Sequence, residues 1–272
     1  MLKHVVSGGG GIKLHVEETG NPGGKSILFI HGLSQSRLAW KKQVSSELAH
    51  DFRLVAMDIR GHGLSDRTPG AYGDSALWAE DVHAVIKTLE LDRPVLCGWS
   101  YGGLLMTDYV DRFGEDDIAG THWVSALSRL GEPLVGAGMV TRAALAAFVG
   151  SFSEQVGEMV PGLQEVVRLY FHRPPSPEDA CFFLGCGVLV PPSVRAALFA
   201  RDLDNDRVVR QMERPMLLSY GAQDLIVPTM ASHIAALAVK ARLSLHPEAG
   251  HSPFWECPDR FNRELAEFRA SC

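Results

Sequence analysis

Short, nearly continuous apolar runs alternate with stretches of helical period along most of the chain. Residues 26–32 (SILFIHG), 52–59 (FRLVAMDI), 94–99 (PVLCGW), 121–126 (THWVSA), 215–220 (PMLLSY) and 241–246 (ARLSLH) carry too few polar positions for strands with one wet face. They predict strands buried on both faces, as in a mostly parallel sheet. Between the second and third runs, SALWAEDVHAVIKTLEL places Val82, Val85, Ile86 and Leu89 at i, i+3, i+4 and i+7, an amphipathic helix of the kind that parallel strands need as a crossover. The opening segment, HVVSGGGGIKLHVEETG, reads as two strands around a Gly-rich turn and predicts an antiparallel hairpin at the sheet edge. Together these patterns predict an α/β fold, a mostly parallel central sheet with helices on both faces.

The rhythm lapses over residues 128–212. No strand pattern is visible there; instead come helix-like stretches (TRAALAAFVGSF, PGLQEVVRLYF, SVRAALFARDL) joined by the Pro-rich RPPSP and VPPS. Such a region is too long for a loop. The expected organisation is a core of residues 1–127 and 213–272 carrying an inserted helical cap, 128–212.

Composition narrows the function classes. With 46% hydrophobic and 21% charged residues among 272, disorder, collagen-like repetition and a coiled coil are excluded. The net charge of -6, with no block of like charge, argues against a nucleic-acid partner. The five cysteines, Cys97, Cys181, Cys186, Cys257 and Cys272, are odd in number and form no CxxC pair, so neither a disulfide framework nor a zinc site is expected. No apolar run approaches the ~18 residues of a membrane span, and the N-terminus has no secretory apolar core. The expectation is a cytoplasmic protein with a small-molecule substrate and no membrane span. HExxH spacing and a G-x-G-x-x-G strand-to-helix turn are both absent, so the expected metal and cofactor sets are none.

The strongest chemical signal is GWSYGG, residues 98–103, directly after PVLC and directly before LLMTDYVDRF. G-x-S-x-G between a strand and a helix predicts a strained turn, with glycines where a side chain would collide and Ser100 lifted clear as a nucleophile. With these flanks the chain resembles the α/β-hydrolase superfamily, specifically serine-nucleophile, esterase- and lactonase-like members with a helical cap. The resemblance covers nearly everything outside the insertion.

What the resemblance implies can be placed residue by residue. HGLSQS, residues 31–36, is similar to the family's oxyanion loop, which makes the backbone N–H groups of Leu33 and Tyr101 the expected oxyanion donors. DIRGHGLSD, residues 58–66, offers Asp58, Arg60 and His62 as a tempting acid, cation and base, but resembles a structural turn. YGAQDLIVP, residues 220–228, puts Asp224 where the family keeps its acid; SALSRL after the preceding strand has no carboxylate before Glu132. EAGHSPFWECPDRF, residues 248–261, supplies His251, completing the order Ser, Asp, His. A histidine suits the role because its pKa lies near neutrality. Cys97 reads as a small core residue, and Phe254 and Trp255 as pocket or packing residues.

The implied activity is acyl transfer to water on a small, mainly apolar ester or lactone. A thioesterase or a carbon–carbon bond hydrolase would use the same triad, the latter with a cation in the cap for a carboxylate, for which Arg129, Arg142, Arg168 and Arg195 are available. A cofactor-free lyase or oxygenase, or a ligand-binding receptor, would use the same pocket. Serine rather than Asp at position 100 sets the chain apart from haloalkane dehalogenases and epoxide hydrolases.

Overall fold

A computed structural model describes all 272 residues. The strands are β1 (Leu2–Ser7), β2 (Lys13–Gly20), β3 (Lys25–Ile30), β4 (Phe52–Met57), β5 (Val95–Trp99), β6 (Gly120–Val124), β7 (Arg129–Leu130), β8 (Leu203–Asp204), β9 (Met216–Gly221) and β10 (Arg242–His246). Eight of them form one sheet in the order β1-β2-β4-β3-β5-β6-β9-β10, and β7 and β8 form a separate pair. β1 with β2 and β2 with β4 run antiparallel; every other neighbour in the large sheet is parallel. The predicted hairpin is therefore present at one edge. β10 is the opposite edge, paired only with β9, and its Leu243 and Leu245 are exposed, so this run is not buried on both faces as its sequence implied.

Helices of eight residues or more are α1 (Ser75–Thr88), α2 (Gly102–Phe113), α3 (Arg142–Gly150), α4 (Val156–Leu169), α5 (Pro177–Val188), α6 (Pro192–Phe199), α7 (Met230–Leu237) and α8 (Pro258–Ser271). None is long and apolar enough to cross a membrane. Successive residues of β5 show why the central strands are apolar throughout. Gly98 faces Met106 of α2, whereas Cys97 faces His122, whose ring stacks on Phe261 of α8 with centroids 4.9 Å apart. Helices cover both faces, so neither set of alternating side chains meets water.

The chain runs from β3 to β4 on one side, then returns to lay β5 against the other side of β3, with Ile30 opposite Gly98. The strand order reverses at β3. Segments leaving the carboxyl ends of β3 and β5 diverge at such a point and leave a crevice, the usual ligand position in an open α/β sheet. HGLSQS leaves β3 and Ser100 follows β5.

Between β6 and β9 the chain makes a long excursion carrying α3 to α6. The apolar CFFLGCGV, outside the helix-like stretches named from the sequence, is most of α5. At the base of the excursion β7 pairs with β8, Arg129 opposite Asp204, a correction to the expectation that residues 128–212 hold no strand. A two-residue strand carries no readable period. Asp206 ties this neck together, accepting from Ser128 Oγ at 3.1 Å, Arg129 Nη2 at 2.6 Å and His233 Nε2 at 2.9 Å.

The turn after β4 is joined to α1 by a buried pair. Arg60 Nε and Nη2 each donate to Asp81 at 2.7 Å, and the guanidinium also reaches the carbonyls of Ala71, Leu77 and Gly9. Replacing Arg60 by Met leaves the Asp81 carboxylate buried without its cation. We expect a loss of about 3–5 kcal/mol in urea unfolding; a loss below about 1 kcal/mol contradicts this role.

Candidate active site

Ser100 sits on the turn between β5 and α2 with φ at +52°, a conformation that a residue with a Cβ rarely adopts and that costs about 1 kcal/mol or more. The turn is over-determined by its neighbours. Ser100 N–H donates to the Val124 carbonyl at 3.0 Å, and the Ser100 carbonyl accepts from the Gly103 and Leu127 amides, both at 3.0 Å. A Cβ at position 98 would lie 2.8 Å from the Gly102 carbonyl oxygen, and one at 102 would lie 2.7 Å from that of Ile30. Glycine is required at both flanks by close approach of backbone to backbone.

The loop leaving β3 brings Leu33 beside Ser100, and neither the Leu33 nor the Tyr101 backbone N–H is used elsewhere in the hydrogen-bond network. Two buried histidines brace this loop. His31 Nε2 accepts from the Ile59 amide at 3.1 Å, and His62 Nε2 accepts from the Ser34 amide at 3.1 Å. Burial pushes the His31 pKa down to about 4 and that of His62 to about 3, so both rings are neutral and free to accept. Asp58 receives the Arg37 guanidinium and the amides of Arg37 and Leu64. Asp58, Arg60 and His62 thus hold loops together and are all committed to partners.

Asp224 follows β9. Its Oδ1 accepts from the Ile226 and Val227 amides at 2.7 and 3.1 Å, and its Oδ2 accepts from His251 Nδ1 at 2.8 Å. Both side chains are buried. With Nδ1–H donated to the carboxylate, the lone pair of His251 lies on Nε2, which is buried and without a partner; no hydrogen bond joins it to Ser100 in this structure. Trp99 Nε1 donates to the His251 carbonyl at 2.9 Å, and the Tyr170 ring stacks on the imidazole at 6.1 Å. The Tyr170 hydroxyl reaches the Leu33 carbonyl at 3.3 Å. Tyr170 therefore touches two of the loops at once, a role that no spacing in the sequence could show.

Ser100 opens into a cavity of about 30 Å³ lined by eleven residues, ten of them hydrophobic. Leu33 and Tyr101 form one side; Leu130, Phe148 and Phe199 of the excursion and Val227 beyond Asp224 close the rest. The cations noted in the sequence are absent from this lining. Arg129 pairs with Asp206, Arg168 with Glu165, and Arg195 is buried against the carbonyls of Ser151, Gly187 and Val190. Phe254 packs on Trp40 and Trp99, and Trp255 on Phe182 and Phe183, so both are packing residues. Cys97 is fully buried, and burial alone pushes its thiol well up. No group of three His, Cys, Asp or Glu side chains is placed to hold a metal ion.

The model of the alpha/beta hydrolase family matches residues 27–264. The chain belongs to the α/β-hydrolase family. A solved relative, the esterase RhEst1 from Rhodococcus sp. ECU1013, is 34% identical with a TM-score of 0.94, over 100% of this chain and 99% of that one. The AB hydrolase superfamily protein YisY of Bacillus subtilis is 26% identical over 276 residues, 96% of each chain. A pimeloyl-[acyl-carrier protein] methyl ester esterase of Nitrosospira multiformis is 27% identical over 280 residues, 95% of this chain and 99% of that one. Within this α/β-hydrolase, the places of Ser100, Asp224 and His251 follow from the ends of β5, β9 and β10, the sheet edge where such folds keep their ligands.

Proposed function

We propose that this α/β-hydrolase cleaves small, mainly apolar esters or lactones through an acyl-enzyme on Ser100, with His251 as base, Asp224 as its orienting acid and residues 128–212 as a cap. The observation that carries the reading is a strained serine lining a small apolar cavity, together with a carboxylate-held imidazole whose Nε2 is buried and without a partner and whose carbonyl is held by Trp99, the residue before that serine.

His251 Nε2 takes the Ser100 proton as Oγ attacks the carbonyl carbon. The carbonyl oxygen becomes an anion held by the Leu33 and Tyr101 N–H groups, each such donor contributing about 3 kcal/mol. The leaving alkoxide takes the proton from His251, giving an acyl-serine and an alcohol. Water then gives its proton to Nε2, attacks the acyl carbon, and the acid departs as the proton returns to Ser100. The esterase names of the Rhodococcus and Nitrosospira relatives support ester as the bond. The cavity lining has no cation for a substrate carboxylate, which weighs against the carbon–carbon hydrolase alternative.

The size of the cavity sets a second expectation. Because the cavity beside Ser100 is small and bounded by Phe148 and Phe199, acyl chains of about two to four carbons should be the best p-nitrophenyl esters, with kcat/KM at least about tenfold lower for octanoate, since each misfit methylene is worth about 1 kcal/mol or more. Phe148→Ala should move the optimum to longer chains. A fluorophosphonate probe should phosphonylate Ser100 with loss of fluoride, adding the probe's mass less HF. No turnover across esters and lactones, or no labelling, overturns the reading; a flat chain-length profile overturns only the size argument.

A further inference from the structure

We propose that Glu256 is a positioning residue of this site: its carboxylate clamps the backbone of the His251 loop to the backbone of the cap and so fixes where the imidazole stands. The inference rests on the reading of His251 as the catalytic base.

Glu256 closes the helical turn Pro253–Glu256 that follows His251. Its Oε2 accepts from the Gly250 amide at 2.7 Å and its Oε1 from the His172 amide at 2.7 Å. These donors belong to segments far apart in sequence, one next to His251 and the other at the exit of α4. They lie almost in contact, since a Cβ on Gly250 would come 2.7 Å from His172 N and 2.8 Å from the Phe171 carbonyl carbon. Neither amide has a backbone acceptor. Two adjacent N–H groups with one shared acceptor side chain call for a carboxylate, which offers one oxygen to each and gains from charge-assisted bonding. An amide offers only one oxygen and would turn its own N–H₂ towards the second donor.

The clamp acts on His251 through the peptide that joins it to Gly250. On the far side of that residue the His251 carbonyl is held by Trp99, so the loop is fixed on one side by Trp99 and on the other by Glu256. A carboxylate–imidazole pair misplaced by about 1 Å relative to its nucleophile can lose on the order of a hundredfold in rate. The same clamp ties α4, whose C-terminal neighbour Tyr170 stacks on His251, to the loop that carries the base.

The test uses the full chain with Glu256→Gln, Glu256→Ala and Glu256→Asp, read as kcat per serine titrated by a fluorophosphonate burst and by the low-field NMR resonance of the His251 Nδ1–H proton. We expect kcat per titrated serine to fall about tenfold in the Gln variant and about a hundredfold in the Ala variant, KM to change less than about threefold, and Asp to restore part of the loss. The low-field resonance should broaden or vanish in Gln and Ala. A purely structural role would lower the melting temperature or the titratable fraction and leave kcat per titrated serine unchanged. If Glu256→Gln keeps kcat per site within twofold, the clamp has no positioning role. Should Glu256→Ala not fold, Glu256→Gln decides. Should the parent cleave no ester, that failure belongs to the proposed function; the resonance then decides the clamp, and its persistence unchanged in Glu256→Gln overturns it.

Discussion

Ser100→Ala is expected to lower kcat by about 10⁵ to 10⁶, with KM changed little, because in the proposed mechanism nucleophile and base act as a unit and losing either removes the covalent route. His251→Ala should fall to the same floor, and the double variant should be no worse than either single one. Asp224→Asn should keep the geometry but lose about 10⁴, since the Ile226 and Val227 amides hold the side-chain oxygen at the Oδ1 place, the N–H₂ then donates to Nδ1, and the imidazole is left with its proton on Nε2, the wrong tautomer for a base. The floor itself should stay above the uncatalysed rate, as the Leu33 and Tyr101 amides remain in place. The structure also sets the contrast. His62 is committed to the Ser34 amide, so His62→Ala should cost stability and loop order, with activity recovering at low temperature where the loop refolds. Steady-state assays on p-nitrophenyl acetate measure all of these. A Ser100→Ala variant retaining more than about one part in a thousand of parental kcat contradicts a covalent mechanism.

The parts of this site that were legible in the sequence are those decided locally. The strained turn at GWSYGG was legible because the reasons for its glycines, carbonyls at 2.8 and 2.7 Å from the missing Cβ atoms, lie within the turn or on the strand beside it. The strands were visible for the same reason, though their ends were not. Residues 52–59 overrun β4 because Asp58 and Ile59 stay buried in the loop beyond Met57, and 121–126 overruns β6 because Ser125 turns the chain out at φ +42° while remaining buried. Burial is not the same as extension, and apolar pattern reports only burial. The contacts that assemble the site from distant segments left no local trace. Tyr170 on His251, Glu256 on the His172 amide, and Phe148 and Phe199 over Ser100 each depend on how the excursion after β6 folds back. Arg195 illustrates the limit from the other side: its charge was counted as a candidate anchor for substrate, yet it is spent on main-chain carbonyls within the excursion.

The stability of the protein should fall steeply between about pH 6 and pH 4, before most carboxylates titrate. Three fully buried histidines contribute most, and His246 and His83, also lowered chiefly by burial, add to the loss. Burial, the largest influence on each, holds His31 at about 4, His62 at about 3 and His122 at about 3, against an ordinary value of 6.5. In this window the unfolded chain takes up protons that the folded chain refuses, so unfolding binds protons and is favoured as pH falls. Their contribution is fully present above about pH 6.5 and is lost as pH drops towards the folded values. The refusal has a geometric basis: His31 Nε2 and His62 Nε2 each accept a peptide N–H, and a proton on either nitrogen would face that N–H directly. Each ring contributes up to about 1.4 kcal/mol per pH unit, so the three together approach about 4 kcal/mol per unit, enough to exhaust the roughly 5–15 kcal/mol of a typical domain within a few units. Glu17 and Glu18, held below their ordinary value of 4.5 chiefly by Arg37 and Arg53, add to the loss only at lower pH. Asp81, Asp108 and Glu256, raised by burial, act in the opposite sense at the acid end of the range. Urea midpoints measured from pH 7.5 to 4.5 should therefore drop progressively below pH 6, and His122→Phe should flatten the slope by up to about one third. Midpoints that stay level to pH 4.5 would show that the buried rings take up protons without penalty, and that the His31 and His62 braces are not what holds the Leu33 loop in place.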